Sequence, residues 1–147
     1  MGKGFEDLEV YQEARVLRRR VHKLTRLLPS EERNVLFQQM RRAALSVTNN
    51  IAEGHGSRSY LYRSRGSVCE LQDDIPACED EGYFKKEHLD DLRAQTGTVM
   101  KLINGYIGYL DRMLAKQSRP SGHLPVNPSD AQRIRPSPNQ PVDQSTR

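Results

Sequence analysis

Arginine is the residue type through which this sequence could act on a ligand. Basic side chains recur at helical spacing along one side of the first predicted helix, at Arg15, Arg18, Arg19, His22 and Arg26, with Arg20 and Lys23 beside them. Guanidinium groups are planar, and several on one face could hold the backbone phosphates of a duplex or a structured RNA. With two arginines of the next helix, the candidate nucleic-acid-binding residues are Arg15, Arg18, Arg19, Arg26, Arg41 and Arg42.

The same stripe of arginines has a second interpretation. Charged residues opposite an apolar seam are typical of any solvated helix. Some of these arginines could pair with Glu13, Glu31, Glu32 or the acidic third helix. The sequence also lacks the aromatic ladder on which single-stranded bases stack. A protein-interaction scaffold, whose charges serve subunit or partner docking, therefore stays open beside nucleic-acid binding.

No catalytic or metal site is predicted. A di-metal carboxylate site in a helical bundle needs Glu-x-x-His, because residues three apart face the same metal pair. Here His55 follows Glu53 by two residues, and His88 follows Glu87 by one. The sequence also contains no Walker loop, no G-x-S-x-G and no G-x-G-x-x-G. We therefore predict a protein that is not an enzyme and that has neither a metal nor another cofactor.

Charge is distributed unevenly along the chain. Residues 1–66 carry 13 Lys and Arg against 7 Asp and Glu, whereas residues 67–116 carry 6 against 10. A basic first half favours an acidic partner such as RNA or DNA. Segments of opposite sign could equally attract each other within one chain or between subunits, so both interpretations remain open.

The sequence predicts a cytoplasmic protein without membrane contact. No apolar run approaches the roughly 18 residues that a membrane span needs, and the first residues lack the apolar core of a signal peptide. Cys69 and Cys78 would lie about 13 Å apart on one helix, too far for a disulfide. We expect both to be small buried residues in a reducing compartment.

Four apolar seams with alternating spacings of three and four residues predict four helices. The first runs from Phe5 to Leu28, the second to about Glu53, the third from Ser57–Tyr60 to Gly82, and the fourth from about Lys86 to Lys116. Their seams are Val10, Ala14, Leu17, Val21, Leu24 and Leu28; Leu36, Met40, Ala43, Val47 and Ile51; Leu61, Ser64, Val68, Leu71, Ile75 and Cys78; and Leu89, Leu92, Thr96, Val99, Ile103, Tyr106, Leu110 and Met113.

Residue types at the helix ends give further expectations. Ser30 is a plausible N-cap for the second helix. The glycines of Gly54-His55-Gly56 are expected to end that helix in the left-handed conformation. Pro76 should kink the third helix or end its regular part early.

These elements predict an all-α fold, an antiparallel up-down-up-down four-helix bundle, over residues 1–116. Residues 117–147 contain six of the eight prolines among Ser, Asn, Gln and Arg. A segment this poor in apolar residues is expected to be a disordered tail.

One flank of the fourth helix is rich in small residues. Each glycine costs up to about 1 kcal/mol in a helix interior, so several on one side should have a reason. They could allow close packing within the bundle, or they could form a subunit interface. The candidate interface residues are Gly97, Asn104, Gly105 and Gly108.

The second helix carries a specific sequence pattern. Residues 38–54 read QQMRRAALSVTNNIAEG, with Gln-x-x-Arg-Arg-Ala, then Ser46, then Asn-Ile-Ala-Glu-Gly. Phe5, Leu8, Tyr11 and Ala14 precede it, and Arg65-Gly66-Ser67, Glu70-Leu71 and Gly82-Tyr83 follow. Over residues 5 to about 114 the chain resembles the four-helix-bundle family of 23S rRNA intervening-sequence proteins.

The resemblance implies a protomer of four helices, commonly assembled into a ring-shaped homopentamer. Some members are encoded within rRNA gene insertions, and related accessory proteins of diversity-generating retroelements bind a reverse transcriptase and nucleic acid. The expected partners are therefore further copies of this chain, RNA or DNA, and a reverse transcriptase-like protein.

The sequence pattern of the second helix has two interpretations. Its polar residues could form a site for an acidic ligand, or they could satisfy the ends of neighbouring helices. We predict the structural role for Gln39, Arg42, Ser46, Asn50, Glu53 and Gly54.

The chain departs from the family pattern between the second and third helices. Only ten residues separate Gly54 from Arg65. This connection is shorter than the resemblance implies by roughly two helical turns, about seven residues. We expect the third helix to start late and to leave the end of the second helix less covered.

Overall fold

The computed structural model describes residues 4–119, in which four long helices follow one another. They are α1 (Glu9–Thr25), α2 (Leu36–Glu53), α3 (Arg58–Asp80) and α4 (Lys86–Gln117). Short 3-10 turns at Phe5–Asp7 and Ser30–Asn34 precede α1 and α2, and these described residues contain no strand. The all-α four-helix prediction is confirmed. Gln117 still belongs to α4, and the rest of the predicted tail from residue 120 onward lies outside the described residues.

Successive helices run in opposite directions. Arg41, near the start of α2, donates to the carbonyl of His22 near the end of α1, whereas Thr48 near the end of α2 accepts from Arg18 in the middle of α1. Between α2 and α3 and between α3 and α4, contacts likewise join the first part of one helix to the last part of the next. α1 and α3 each pack on α2 and on α4, so they occupy diagonal corners of the bundle.

The predicted seams form the core. Every seam residue of α1, α2 and α3 is buried, including Leu28 just beyond α1. The seam of α4 is buried from Leu89 to Ile103, but Met113 is 39% exposed. Arg58, the first residue of α3, pairs with Asp111, so the last turns of α4 extend past the start of α3.

Helix ends differ from the sequence predictions in three places. Ser30 does not cap α2; it begins a 3-10 turn and makes no capping hydrogen bond, and α2 begins at Leu36. α3 continues through Pro76 to Asp80, so the early end is wrong; Pro76 lies on the exposed face, where water can reach the Gln72 carbonyl that loses its backbone donor. Gly56 takes the left-handed conformation with φ +87°, whereas Gly54 has φ −91°.

The end of α2 is covered, contrary to the prediction from the short connection. α3 begins at Arg58, four residues after Gly54, without a delay. Ile51 is fully buried, and Gly54 is buried against Tyr60. Large apolar residues are exposed elsewhere: Leu27 and Val35, between α1 and α2, are 60% and 64% exposed, and Tyr109 and Leu114 near the end of α4 are each 49% exposed.

The two cysteines of α3 differ in burial. Cys78 is buried, but Cys69 is exposed on α3, so the expectation of two buried thiols was wrong for Cys69. None of the helices in the described part of the chain is both long enough and apolar enough to span a membrane.

Candidate nucleic-acid interface

α1 carries a stripe of basic side chains on the side away from its buried seam. We call this stripe the basic face; it consists of Arg15, Arg18, Arg19, His22, Lys23 and Arg26. Residues three and four apart are neighbours on a helix surface, which places these side chains in one stripe. All but Arg15 line a shallow depression along the helix. Arg18 and His22 are half-buried, and the other four are exposed.

Two arginines brace α1 against α2 at the edge of the basic face. Arg18 Nη1 donates to Thr48 Oγ1 at 2.9 Å. Arg41 donates from Nε to Thr25 Oγ1 at 2.9 Å and from Nη2 to the His22 carbonyl oxygen at 3.0 Å. These bonds hold the two guanidinium charges in fixed positions and leave each with further donors. Thr25 and Thr48, which hold them, were missed by the sequence analysis.

No carboxylate forms an ion pair with the basic face within residues 4–119. Glu13 accepts from Gln95 Nε2 at 2.8 Å, and Glu32 accepts from the Tyr83 hydroxyl at 2.6 Å. Two of the carboxylates that could have neutralised the arginines are thus bound elsewhere. The ion pairs in this part of the chain have other cations, namely Arg58, Lys86 and Arg93.

His22 reports the electrostatics of this surface. Burial lowers the pKa of its imidazole, and the nearby charges of Arg41, Arg18 and Arg26 lower that pKa further. Both effects favour the neutral imidazole, since a charged form would be partly desolvated and would repel three guanidinium groups. These side chains therefore form a region of positive potential that no carboxylate within residues 4–119 neutralises by an ion pair.

Arg42 lies on a different surface from the other predicted arginines. Consecutive residues of a helix point about 100° apart, and Arg42 is exposed in the groove between α2 and α3. The groove also contains Gln39, Ser46, Ser67 and Glu70. The structure therefore brings together Arg15, Arg18, Arg19 and Arg26, places Arg41 at their edge, and separates Arg42 from them.

Two residues of the family pattern tie α2 to α3. Gln39 Nε2 donates to Asp74 Oδ1 at 2.7 Å. Ser46 Oγ accepts from Ser67 Oγ at 2.8 Å. Both bonds cross the α2–α3 boundary, and Ser67 is the serine of the Arg-Gly-Ser segment in the same pattern.

The remaining pattern residues differ in their surroundings. Asn50 Nδ2 donates to the carbonyl and the hydroxyl oxygen of Ser46 within α2. Gly54 lies where a β-carbon would come within 2.2 Å of Tyr60 Cβ. Arg42 and Glu53 are exposed and make no side-chain hydrogen bond to any other described residue. Four of the six pattern residues thus make contacts within or between helices, and the structural role of the pattern stays a prediction.

Asp74 is a buried carboxylate that the sequence analysis missed. Its side chain is only 3% exposed, and Oδ2 has no hydrogen-bond partner among the described residues. Burial raises the pKa of this carboxyl to about 6, and the charges of Asp73 and Glu70 act in the same direction. Its position one heptad after Ser67, beside the seam residue Ile75, was the available signal.

The glycine-rich flank of α4 is open toward solvent. A β-carbon added at Gly97 or Gly105 would meet nothing within 4 Å, and one at Gly108 would touch only Arg112 Nη1 at 3.4 Å. Asn104 is exposed and accepts from Arg65 Nη1 at 3.5 Å. Close packing within the protomer therefore does not explain Gly97 or Gly105.

A comparison with known families shows to which family this four-helix bundle belongs. The model of the 23S rRNA-intervening sequence protein family matches residues 6–105. The chain belongs to this family. The match includes the basic face, the pattern of α2 and most of α4, so the surfaces described above lie within the 23S rRNA-intervening sequence protein domain. The family name points to an RNA-related role, and no curated protein is significantly similar to the chain.

Proposed function

We propose that this protein is a non-catalytic accessory factor that binds RNA or DNA through the basic face of α1, as part of a homo-oligomer. The contacting residues are the arginines of that face, with Arg41 at its edge. Arg42 lies in the separate groove between α2 and α3 and would contact only a ligand that extends beyond the basic face. The observation that carries the proposal is the absence of carboxylate partners for the basic face within residues 4–119. The RNA-related family supports the same conclusion.

Salt dependence gives the sharpest test of phosphate contact. Each phosphate contact on a duplex releases counterions, and the logarithm of affinity falls with the logarithm of salt concentration by about 0.9 per contact. A combined Arg15→Ala, Arg19→Ala and Arg26→Ala variant should bind every sequence more weakly and should flatten this slope by up to about 2.7. Filter-binding titrations against duplex DNA, structured RNA and single strands at several salt concentrations measure both quantities.

A charge-matched variant controls for the loss of net charge. Lys85, Lys116 and Arg119 are exposed near the two ends of α4, away from its glycine flank, and form no ion pair within residues 4–119. Replacing these three with alanine removes the same charge from another surface and should leave the salt slope nearly unchanged. Equal effects of the two triple variants would mean that net charge alone drives binding. Absence of binding at low salt would rule out the nucleic-acid function.

A scaffold is the alternative, and the placement of charge supports it. α1 and α3 lie at diagonal corners of the bundle. α3 exposes the carboxylates of Glu70, Asp73 and Asp80, none of which forms an ion pair within the described part of the chain. Opposite charges at opposite corners would let the basic face of one copy dock on α3 of the next. Salt would then dissociate the oligomer even without nucleic acid.

The glycine flank of α4 gives a separate prediction about assembly, for which a pentamer is the favoured state. Gly105→Ala should stabilise the isolated helix by up to about 1 kcal/mol, because alanine is the better helix former and its methyl group has room. The same methyl group would intrude on a partner packed against the flank, so the oligomer should weaken. Light scattering over a dilution series, beside thermal unfolding, separates the two effects.

Gly66→Ala is the matched control for that experiment. Gly66 is also an exposed helical glycine with nothing within 4 Å of an added β-carbon, but it lies on α3. This variant should gain stability without a change in mass. If Gly105→Ala and the parent protein have the same oligomeric mass at every concentration, the flank is not an interface. If the parent protein is itself a monomer, the proposed oligomer is wrong.

A further inference from the structure

The depression on α1 is more specific than a general basic surface. Its lining residues are Arg18, Arg19, His22, Lys23 and Arg26, two adjacent rows spanning about 12 Å of helix axis. His22 lies in the middle of this set in the sequence, and it is the only one that can change charge near neutral pH.

The cations around His22 are held by the fold. Arg18 is anchored on Thr48, and Arg41 donates to the backbone carbonyl of His22 itself. A guanidinium that is already oriented loses less freedom when it binds an anion than a freely rotating one does. The charged groups that act on His22 are Arg18 and Arg26 from its own helix and Arg41 from α2.

We propose that this depression seats a single phosphate group, and that His22 completes the set of ligands by taking up a proton when the phosphate binds. The inference rests on the proposed function, because a nucleic acid is the expected source of the phosphate. Without an anion, partial burial and the surrounding cations favour the neutral imidazole. A bound phosphate offsets the repulsion and can accept a hydrogen bond from the protonated ring.

Proton uptake on binding has a measurable consequence. By linkage, whatever raises the His22 pKa in the complex must make the complex tighter at lower pH. Affinity for an RNA oligonucleotide should rise by about three- to tenfold between pH 7.5 and 5.5, up to about tenfold for each unit by which binding raises that pKa. NMR titration of the His22 imidazole should show the rise directly.

His22→Gln is the test variant, because it keeps a polar, half-buried side chain that cannot be protonated. It should bind with a flatter pH dependence than the parent protein. His55→Gln is the control: His55 is exposed beyond the end of α2, at the opposite end of the bundle, and should leave the pH dependence unchanged. Oligonucleotides of one sequence with a 5′-phosphate or a 5′-hydroxyl distinguish a terminal phosphate from an internal one as the occupant.

The outcomes separate this inference from the proposed function. Suppose that RNA binds, but that the His22 pKa is the same in the free and bound protein and His22→Gln keeps the parent's pH dependence. The proposed phosphate site in the depression would then be wrong, and the proposed function would stand. If no nucleic acid binds at low salt, the proposed function is wrong, and inorganic pyrophosphate can still test the phosphate site. If pyrophosphate does not change the His22 pKa, the phosphate site is wrong as well.

Discussion

Gly54→Ala should lower the free energy of unfolding by about 3 kcal/mol, in the upper range for overpacking at a site that cannot relax. The added β-carbon would lie 2.2 Å from Tyr60 Cβ and 2.7 Å from the carbonyl oxygen of Asn50. Neither neighbour is the far end of a flexible side chain. Relief therefore requires α3 to move away from the end of α2, where Ile51 and Leu61 are fully buried.

Urea denaturation measures this change, with Gly66→Ala as the matched control. That glycine lies within α3 and has nothing within 4 Å of an added β-carbon. Its replacement should raise stability by up to about 1 kcal/mol through helix propensity alone. Opposite signs for the two variants are expected. If both raised stability, the close approach of α3 to Gly54 would be wrong.

Helix positions could be predicted from the sequence because burying one face of a helix imposes a fixed period. The four seams located all four helices, and every seam residue of the first three is buried. The start of α2 could not be predicted in this way. Ser30 suits an N-cap worth about 1 kcal/mol, but burying Leu28 and Leu36 on either side of the connection contributes about 2 kcal/mol each. The chain therefore makes a 3-10 turn first.

The stripe of arginines on α1 could also be predicted, since it depends only on spacing within one helix. The sequence could not predict which of these arginines form hydrogen bonds to a neighbouring helix. The Arg18–Thr48 bond joins residues 30 positions apart, and the Gln95–Glu13 bond, which occupies a possible partner of the basic face, joins residues 82 positions apart. Such contacts depend on the axial register of packed helices, which heptad spacing leaves open.

Asp74 was missed for another reason, although its position beside the seam residue Ile75 offered a signal. A carboxylate beside a seam is normally assigned to the solvated flank of a helix. Here α2 covers it, with Gln39 donating to Oδ1 while Oδ2 lies without a partner in the described part of the chain. A buried carboxylate with a single neutral donor is held poorly in its ionised form. Its titration should therefore be visible in the stability of the whole bundle.

Asp74 should make the protein less stable as the pH rises through about 6. Burial raises the pKa of its carboxyl from 3.8 to about 6, so between these values the folded state keeps a proton that the unfolded chain has released. The contribution of this group to stability is therefore fully present below pH 4 and is lost as the pH rises through the folded pKa. Integrating that difference between about pH 4.5 and 7.5 gives a loss of about 2 kcal/mol.

Asp74→Asn isolates this contribution, because asparagine keeps an oxygen for Gln39 and does not titrate. Its free energy of unfolding, relative to the parent protein, should improve by about 2 kcal/mol between about pH 4.5 and 7.5. Comparing the two proteins cancels the titration of all other groups to first order. Asp80→Asn, an exposed carboxylate on the same helix, should show no such improvement. A constant difference between Asp74→Asn and the parent would mean that the buried carboxyl titrates alike in the folded and unfolded chains, and that the Gln39 contact offsets the whole cost of its burial.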